Sequence, residues 1–321
     1  MNEMEQFLSQ LPSLKHLELH AEAQVDIADG NRWEALVSSL VTFHFKFHVP
    51  LQHPDDYFLS FLTPFWMEEK HWFVAYHNSC LFSLSHFAPI HIDSTDLSKF
   101  ISTAPDRSLI FDRTKKLTVN TLHVDTNQRL AQIKVLELKH SILPCVLQSV
   151  IHFTQLKHLI IPSWHDLLLF LPLEEQIPQL NALTIREQIS QDLIEQFESH
   201  QFKQITKLAL NLSERDRDSI FEHLFVLFPS VQYLQNHNGI HSMGTMIRLI
   251  DGFPSLINAF FYFDPPVFAD QSLSSSSSSN SIIRHARRLA ESNCTWRLYH
   301  ITSNNAVQCW WMDSCTSDDR Q

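Results

Sequence analysis

A short pattern, apolar-x-x-apolar-x-apolar, returns along the chain at Leu14/Leu17/Leu19, Leu40/Phe43/Phe45, Ile133/Leu136/Leu138, Leu156/Leu159/Ile161, Leu180/Leu183/Ile185, Ile205/Leu208/Leu210 and Leu256/Ala259/Phe261. A frayed copy stands at Val231/Leu234/Asn236. In an extended segment side chains alternate, so Leu17 and Leu19 share one face while Glu18 and His20 share the other, and Leu14 reaches the same core from the preceding turn. One such strand cannot bury its apolar face alone. Parallel stacking of successive copies, with return segments packed behind them, makes one continuous core and leaves the opposite strand face open.

The return segments carry the helical rhythm. Trp33, Leu36, Val37, Leu40 and Val41 follow Asp29-Gly30-Asn31, a helix start; Leu193, Ile194 and Phe197 follow Ser190. Ile220, Leu224, Leu227 and Phe228 form a further run stopped by Pro229, and Met243, Met246, Ile247 and Ile250 another ended by Gly252. The later copies recur about every two dozen residues, inside the roughly 20 to 29 residues of leucine-rich repeats. The fold expected from this is α/β, a leucine-rich-repeat solenoid (horseshoe) with irregular repeats of about 25 residues.

Two stretches interrupt the period. Between Phe47 and Leu117 lie Thr63-Pro64-Phe65-Trp66-Met67-Glu68-Glu69-Lys70 and two strand-like runs, Trp72–Tyr76 and Cys80–Leu84, joined by His77-Asn78-Ser79, which predicts a β-hairpin whose dense aromatics serve packing. Pro265-Pro266 and the serine run Ser274 to Ser279 read as a loop, followed by a helix at Ile282 to Leu289 and a closing strand pair at Thr295 to Ile301 and Ala306 to Trp311. The expected organisation is one domain over 1–321: N-terminal repeats at 1–48, the hairpin insertion at 49–116, regular repeats at 117–264, the serine-rich loop at 265–281 and a C-terminal cap at 282–321.

Composition removes several function classes. The 321 residues hold only 4 glycines, and no phosphate-cradling GxGxxG or GxxxxGK[ST] and no GxSxG nucleophile turn can be written from them. A formal net charge of −11 repels a phosphate backbone, so no nucleic-acid partner is expected. The one basic cluster, Arg284, His285, Arg287 and Arg288, reads as a solvated helix face. No apolar run approaches the roughly 20 residues of a membrane span, so no membrane partner is expected. The 5 cysteines form no CxxC pair and fit a reducing interior, which points to the cytoplasm, with the nucleus as alternative.

The 20 histidines raise metal or acid-base chemistry as the rival reading, an enzyme or metal-binding protein with a histidine-rich cleft. His16/His20 and His44/His48 are four apart but lie in strands, where that spacing spans roughly 13 Å, too far for one ion. His237/His241 flanks Gly239 in a turn. No Ser/His/Asp or Cys/His constellation is local in the sequence. Catalytic, cofactor and metal residues are therefore expected to be absent. The open strand face would instead bind protein, with Glu18, His20, Glu137, Lys139, Arg186, Tyr233, Phe260 and Tyr262 as contacts, since aromatic and Arg anchors dominate protein interfaces.

Leu11-Pro12-Ser13-Leu14-Lys15-His16-Leu17-Glu18-Leu19, Thr63 to Val74 and Ile282-Ile283-Arg284-His285-Ala286-Arg287-Arg288-Leu289 together resemble the leucine-rich-repeat portion of an F-box/leucine-rich-repeat family expanded in some invertebrates. The resemblance implies a non-enzymatic protein-protein interaction scaffold, the substrate-recognition part of a ubiquitin-ligase adaptor, without cofactors and with an unknown protein target. In that family a separate helical F-box docks to Skp1-cullin. About a dozen residues precede the first repeat here, fewer than the roughly 12 to 15 of one marginal isolated helix, so Skp1-cullin is an expected partner only if an F-box is present upstream. The family's asparagine three residues past each strand is replaced by Glu22, Ser141, Trp164, Gln188, Ser213 and Asp264, which predicts irregular turns.

Overall fold

The computed structural model describes residues 2–22, 25–51, 53–121, 130–197, 200–212, 218–240, 243–263, 295–301 and 306–312. The serine run and the expected helix at Ile282 to Leu289 lie outside the described residues. The chain divides into two compact units, Met1–Lys134 with Cys145–His152, and Val135–Pro144 with Phe153–Gln321.

In the first unit, β1 (His16–Glu22) and β2 (Thr42–His48) pair in parallel, Leu17 beside Phe43 and Leu19 beside Phe45. The helix Gly30–Val37 returns the chain between them, with the Asp29 carboxylate accepting from the Asn31 N–H at its start. β3 (Val74–His77) and β4 (Cys80–Ser83) form an antiparallel hairpin, and β4 then pairs antiparallel with β2. With β6 (Ile101–Ser102) on the far side of β3, the order in this five-stranded sheet is β1-β2-β4-β3-β6. A parallel pair, β5 (His91–Asp93) with β7 (Lys116–Val119), completes the strands of the unit.

Most aromatics of the insertion, Phe61, Phe65, Trp66 and Trp72 among them, are buried in one core with Trp33, Phe43, Phe45 and Phe47. Trp33 stacks on Phe47, ring centroids 5.6 Å apart, Phe45 stacks on Phe47 at 4.8 Å, and Trp66 meets Phe61 edge-on at 4.9 Å. Their polar atoms are matched: the Trp33 indole donates to the Ile27 carbonyl at 2.8 Å and Trp66 to the Gly30 carbonyl at 3.2 Å. The Lys70 ammonium lies over the Phe65 and Trp72 rings and donates to the Ser38 and Leu40 carbonyls just past the Gly30–Val37 helix, where a cation is favoured.

In the second unit, β8 (Val135–Leu138), β9 (His158–Ile161), β10 (Ala182–Gln188), β11 (Lys207–Asn211), β12 (Tyr233–Ile240) and β13 (Asn258–Phe263) run parallel to their neighbours. The sheet ends on two antiparallel strands, β14 (Thr295–Ile301) and β15 (Ala306–Met312), with β15 beside β13. Register aligns one buried row across the parallel strands: Leu136, Leu159, Leu183, Leu208, Leu234 and Ala259. Helices at Trp164–Phe170, Gln191–Ile194, Asp218–Leu227 and Met243–Gly252 fill the connections. Trp164–Phe170 starts on a reciprocal box in which Ser163 and Asp166 bond each other's backbone N–H, and the Glu187 carboxylate accepts from the Trp164 N–H.

A single leucine-rich-repeat solenoid does not form. The strands fall into separate sheets, and the first is mixed, with the β3–β4 hairpin seated antiparallel against β2 where a further parallel repeat would stack. The physical reason is that the apolar pattern specifies which face of a strand is buried and leaves its edge open to either strand polarity. The Asn236 copy is also stronger than its sequence implies. The Asn236 side chain is fully buried, accepts from the Leu212 N–H at 2.8 Å and donates to the Asn238 carbonyl at 3.0 Å, so it ties β12 to the chain leaving β11.

Three substitutions check this packing. A Cβ on Gly30 would lie 2.5 Å from the Ser60 carbonyl oxygen, so Gly30→Ala forces backbone apart and is expected to cost the first unit about 1 to 3 kcal/mol in urea unfolding. Leu183, 1% exposed, sits in the middle of the buried row, so Leu183→Asp is expected to remove about 3 kcal/mol or more. Thr184→Asp, facing the other way, should stay within about 1 kcal/mol of the parent. Equal damage from the two would contradict the register.

Candidate functional site: the open face of the parallel sheet

The strand face opposite the leucine row is built from two further rows. One runs Val135, His158, Ala182, Lys207, Tyr233 and Asn258; the next runs Glu137, Ile160, Thr184, Ala209, Gln235 and Phe260. Small side chains at Ala182, Thr184 and Ala209 leave a shallow, open groove of about 510 Å³ between bulkier neighbours, with Lys157 and His158 at the β9 side and Tyr233 and Phe260 at the β12–β13 side. His158 and Thr184 are hydrogen-bonded across β9 and β10, Nε2 to Oγ1 at 2.9 Å. The Lys207 ammonium stands over the Tyr233 ring, 5.4 Å from its centroid. Phe260 meets Tyr262 edge-on at 5.0 Å.

The expected contact residues divide between the two units. Tyr233, Phe260 and Tyr262 lie on the open face of the second unit, Tyr233 well exposed. Glu137, Lys139 and Arg186 come together in one charge cluster: Glu137, only 5% exposed, accepts from Lys139 Nζ at 2.5 Å and from the Arg186 guanidinium. Glu137 is thus a buried counter-ion, and Arg186 is anchored to it. This pairing crosses from β8 to β10, a relation that sequence spacing does not show. Lys157, just before β9, was missed because it stands outside the alternation; the run of small outward residues Ala182, Thr184 and Ala209 was the available signal for a groove.

Glu18 and His20 belong to β1 in the first unit and have a different setting. Glu18 Oε1 lies 3.1 Å from His20 Nε2 and Oε2 3.5 Å from His86 Nε2. His86 stacks on His44 with centroids 4.7 Å apart and planes 19° from parallel. Parallel rings aim their in-plane nitrogens side by side rather than at one point, which suits a polar surface cluster and not an ion site. Among the described residues no group of three or more His, Cys, Asp or Glu is placed to hold a metal ion, and no helix is long and apolar enough to cross a membrane. His241 lies outside the described residues.

Three imidazoles are held below their ordinary pKa. Burial does this first at His44, aided by the charge of His86 and opposed by Glu18. Burial also leads at His77, which stacks on Phe100 at 4.0 Å, with the Asp96 carboxylate opposing. At His237 partial desolvation leads and the Arg186 guanidinium adds to it.

The fold and the site define an α/β protein with a mixed sheet in one unit and, in the other, a parallel sheet whose outer face is an open groove edged by lysines and aromatics. No protein-family model matches the chain, and no curated protein matches it either.

The depressed imidazoles fix the sign of an acid effect on stability. Below the ordinary value of 6.5 the unfolded chain takes up protons that the folded His44, His77 and His237 refuse, so stability is expected to fall as pH drops from 6.5 toward the lowered values. Urea midpoints measured between about pH 8 and pH 5.5 should decline on acidification, and His77→Gln should flatten the slope for the first unit. A midpoint that rises on acidification would contradict this.

Proposed function

We propose that the protein is a non-enzymatic protein-interaction module whose contact surface is the open face of the parallel sheet. The observation that carries this is the groove itself. It is shallow and open, it spans β9 to β13, and it is edged by Tyr233 and Phe260. A surface of that form suits a peptide segment rather than a small substrate, since small-molecule sites bury most of their ligand. The resemblance to F-box/leucine-rich-repeat proteins supports the same role, as the target-recognition part of a ubiquitin-ligase adaptor acting in the cytoplasm. Docking to Skp1-cullin belongs to the proposal only for a form that carries an F-box.

Peptides displayed on phage and selected on the full chain provide the test. Enriched peptides should lose about tenfold or more in affinity with Tyr233→Ser or Phe260→Ser, while urea midpoints stay near the parent value. Selected peptides that bind both variants as tightly as the parent would move the contact surface elsewhere and refute the reading. In a separate pull-down, purified Skp1 should be retained by a form extended with an F-box and not by residues 1–321; retention by residues 1–321 would place docking outside an F-box and contradict the adaptor reading.

A further inference from the structure

Resting on the reading of this face as a protein-binding surface, we infer that its occupant is an acidic peptide segment, lying extended across β9 to β13 with an apolar or aromatic side chain against Tyr233 and Phe260.

Charge carries the argument. The protein has a formal net charge of −11, yet among the described residues the titratable side chains lining the groove are Lys157, His158, Lys207 and Tyr233, with no Asp or Glu. A local reversal of sign on an acidic protein selects its partner, because a basic or neutral segment gains nothing there and an acidic one is attracted. The neighbouring rows do not cancel it. In the two outward rows of β8 to β13 the one carboxylate is Glu137, which is buried and already shared by Lys139 and Arg186. One anion between two cations leaves positive charge on that side of the face as well.

Geometry limits the form of the ligand. Adjacent strands lie about 4.8 Å apart, so the groove from β9 to β13 is roughly 19 Å wide, the reach of about six extended residues. Lys157 and Lys207 are both exposed and stand at different strands, so acidic side chains spaced along an extended peptide can meet them separately. Lys207 is steadied over the Tyr233 ring, which positions its ammonium beside the aromatic wall and pairs an acidic residue with an adjacent apolar one in the ligand. A long polyanion such as nucleic acid would meet the repulsion of the whole chain beyond the groove; a segment of about six residues would not.

The experiment uses the full chain and a phage library of ten-residue peptides varied over Asp, Glu, Gln, Lys, Leu, Phe and Tyr, followed by anisotropy titrations of synthetic peptides from the enriched set. The expected result is enrichment of Asp and Glu next to an aromatic or Leu. Affinity should fall about tenfold with Lys207→Glu and separately with Lys157→Glu, and should fall several-fold as salt rises from 50 to 500 mM, with urea midpoints of both variants unchanged. A Lys-for-Glu exchange in the peptide should regain affinity for the Lys207→Glu variant. Neutral or basic peptides that bind independently of salt and of both lysines, yet are lost with Tyr233→Ser or Phe260→Ser, overturn the acidic ligand and leave the protein-binding face standing. Failure of every peptide to enrich overturns both, as does salt-sensitive, Lys207-dependent capture of a single-stranded DNA probe in place of the peptides.

Discussion

The second unit depends on one constraint, the alignment of a single buried side chain per strand across β8 to β13. Two of these strands, β8 and β9, are only four residues long, too short to hold a place by their own hydrogen bonds. Leu136, Leu159, Leu183, Leu208, Leu234 and Ala259 meet in one row, and a slip of one residue would turn every apolar side chain to water. The same register decides which residues face outward. The groove, its lysines and its aromatics are therefore consequences of how the leucines stack.

A parallel sheet needs its connections to cover one face, and among the described residues the connections carry helices. The capped helix Trp164–Phe170, with Glu187 accepting at its first turn, and the helices Asp218–Leu227 and Met243–Gly252 occupy the connections, and the buried row packs on their side. The exposed opposite face has to be polar enough to stay in water. It meets this with mixed side chains rather than charge alone: a buried Glu137 held by two cations, a His158–Thr184 bond, and small residues at Ala182 and Ala209. Those small residues leave the concavity that a binding surface requires.

The first unit solves burial differently. Its parallel pair β1–β2 is extended by an antiparallel hairpin, and its core is dense with rings, Trp33, Phe43, Phe45, Phe47, Phe61 and Trp66 all fully buried. Large rigid groups leave no slack, so Gly30 has to be glycine for reasons of space: the Ser60 backbone passes where a Cβ would stand, and the Gly30 carbonyl accepts from Trp66. His20, His44 and His86, on β1, β2 and the short helix after β4, form a surface group about Glu18, unrelated in composition to the groove of the second unit.

The sequence by itself determined the strands of the repeated pattern and their buried faces, but not the short β5 and β6. Alternation fixed Leu183 inward and Thr184 outward, the 3.6-residue rhythm placed the helices at Gly30–Val37, Asp218–Leu227 and Met243–Gly252, and turn residues marked the β3–β4 hairpin. Of the candidate site, the outward position of Tyr233 and Phe260 was legible for the same reason. What only the tertiary structure decided was adjacency. Nothing local in the apolar pattern states that β2 takes an antiparallel neighbour, that Arg186 reaches Glu137 two strands away, or that Asn236 is buried to hold the backbone beyond β11. A strand's pattern records which side faces the core, whereas its partners are chosen by hydrogen bonds and charges contributed from distant segments, which come together only when the chain is folded.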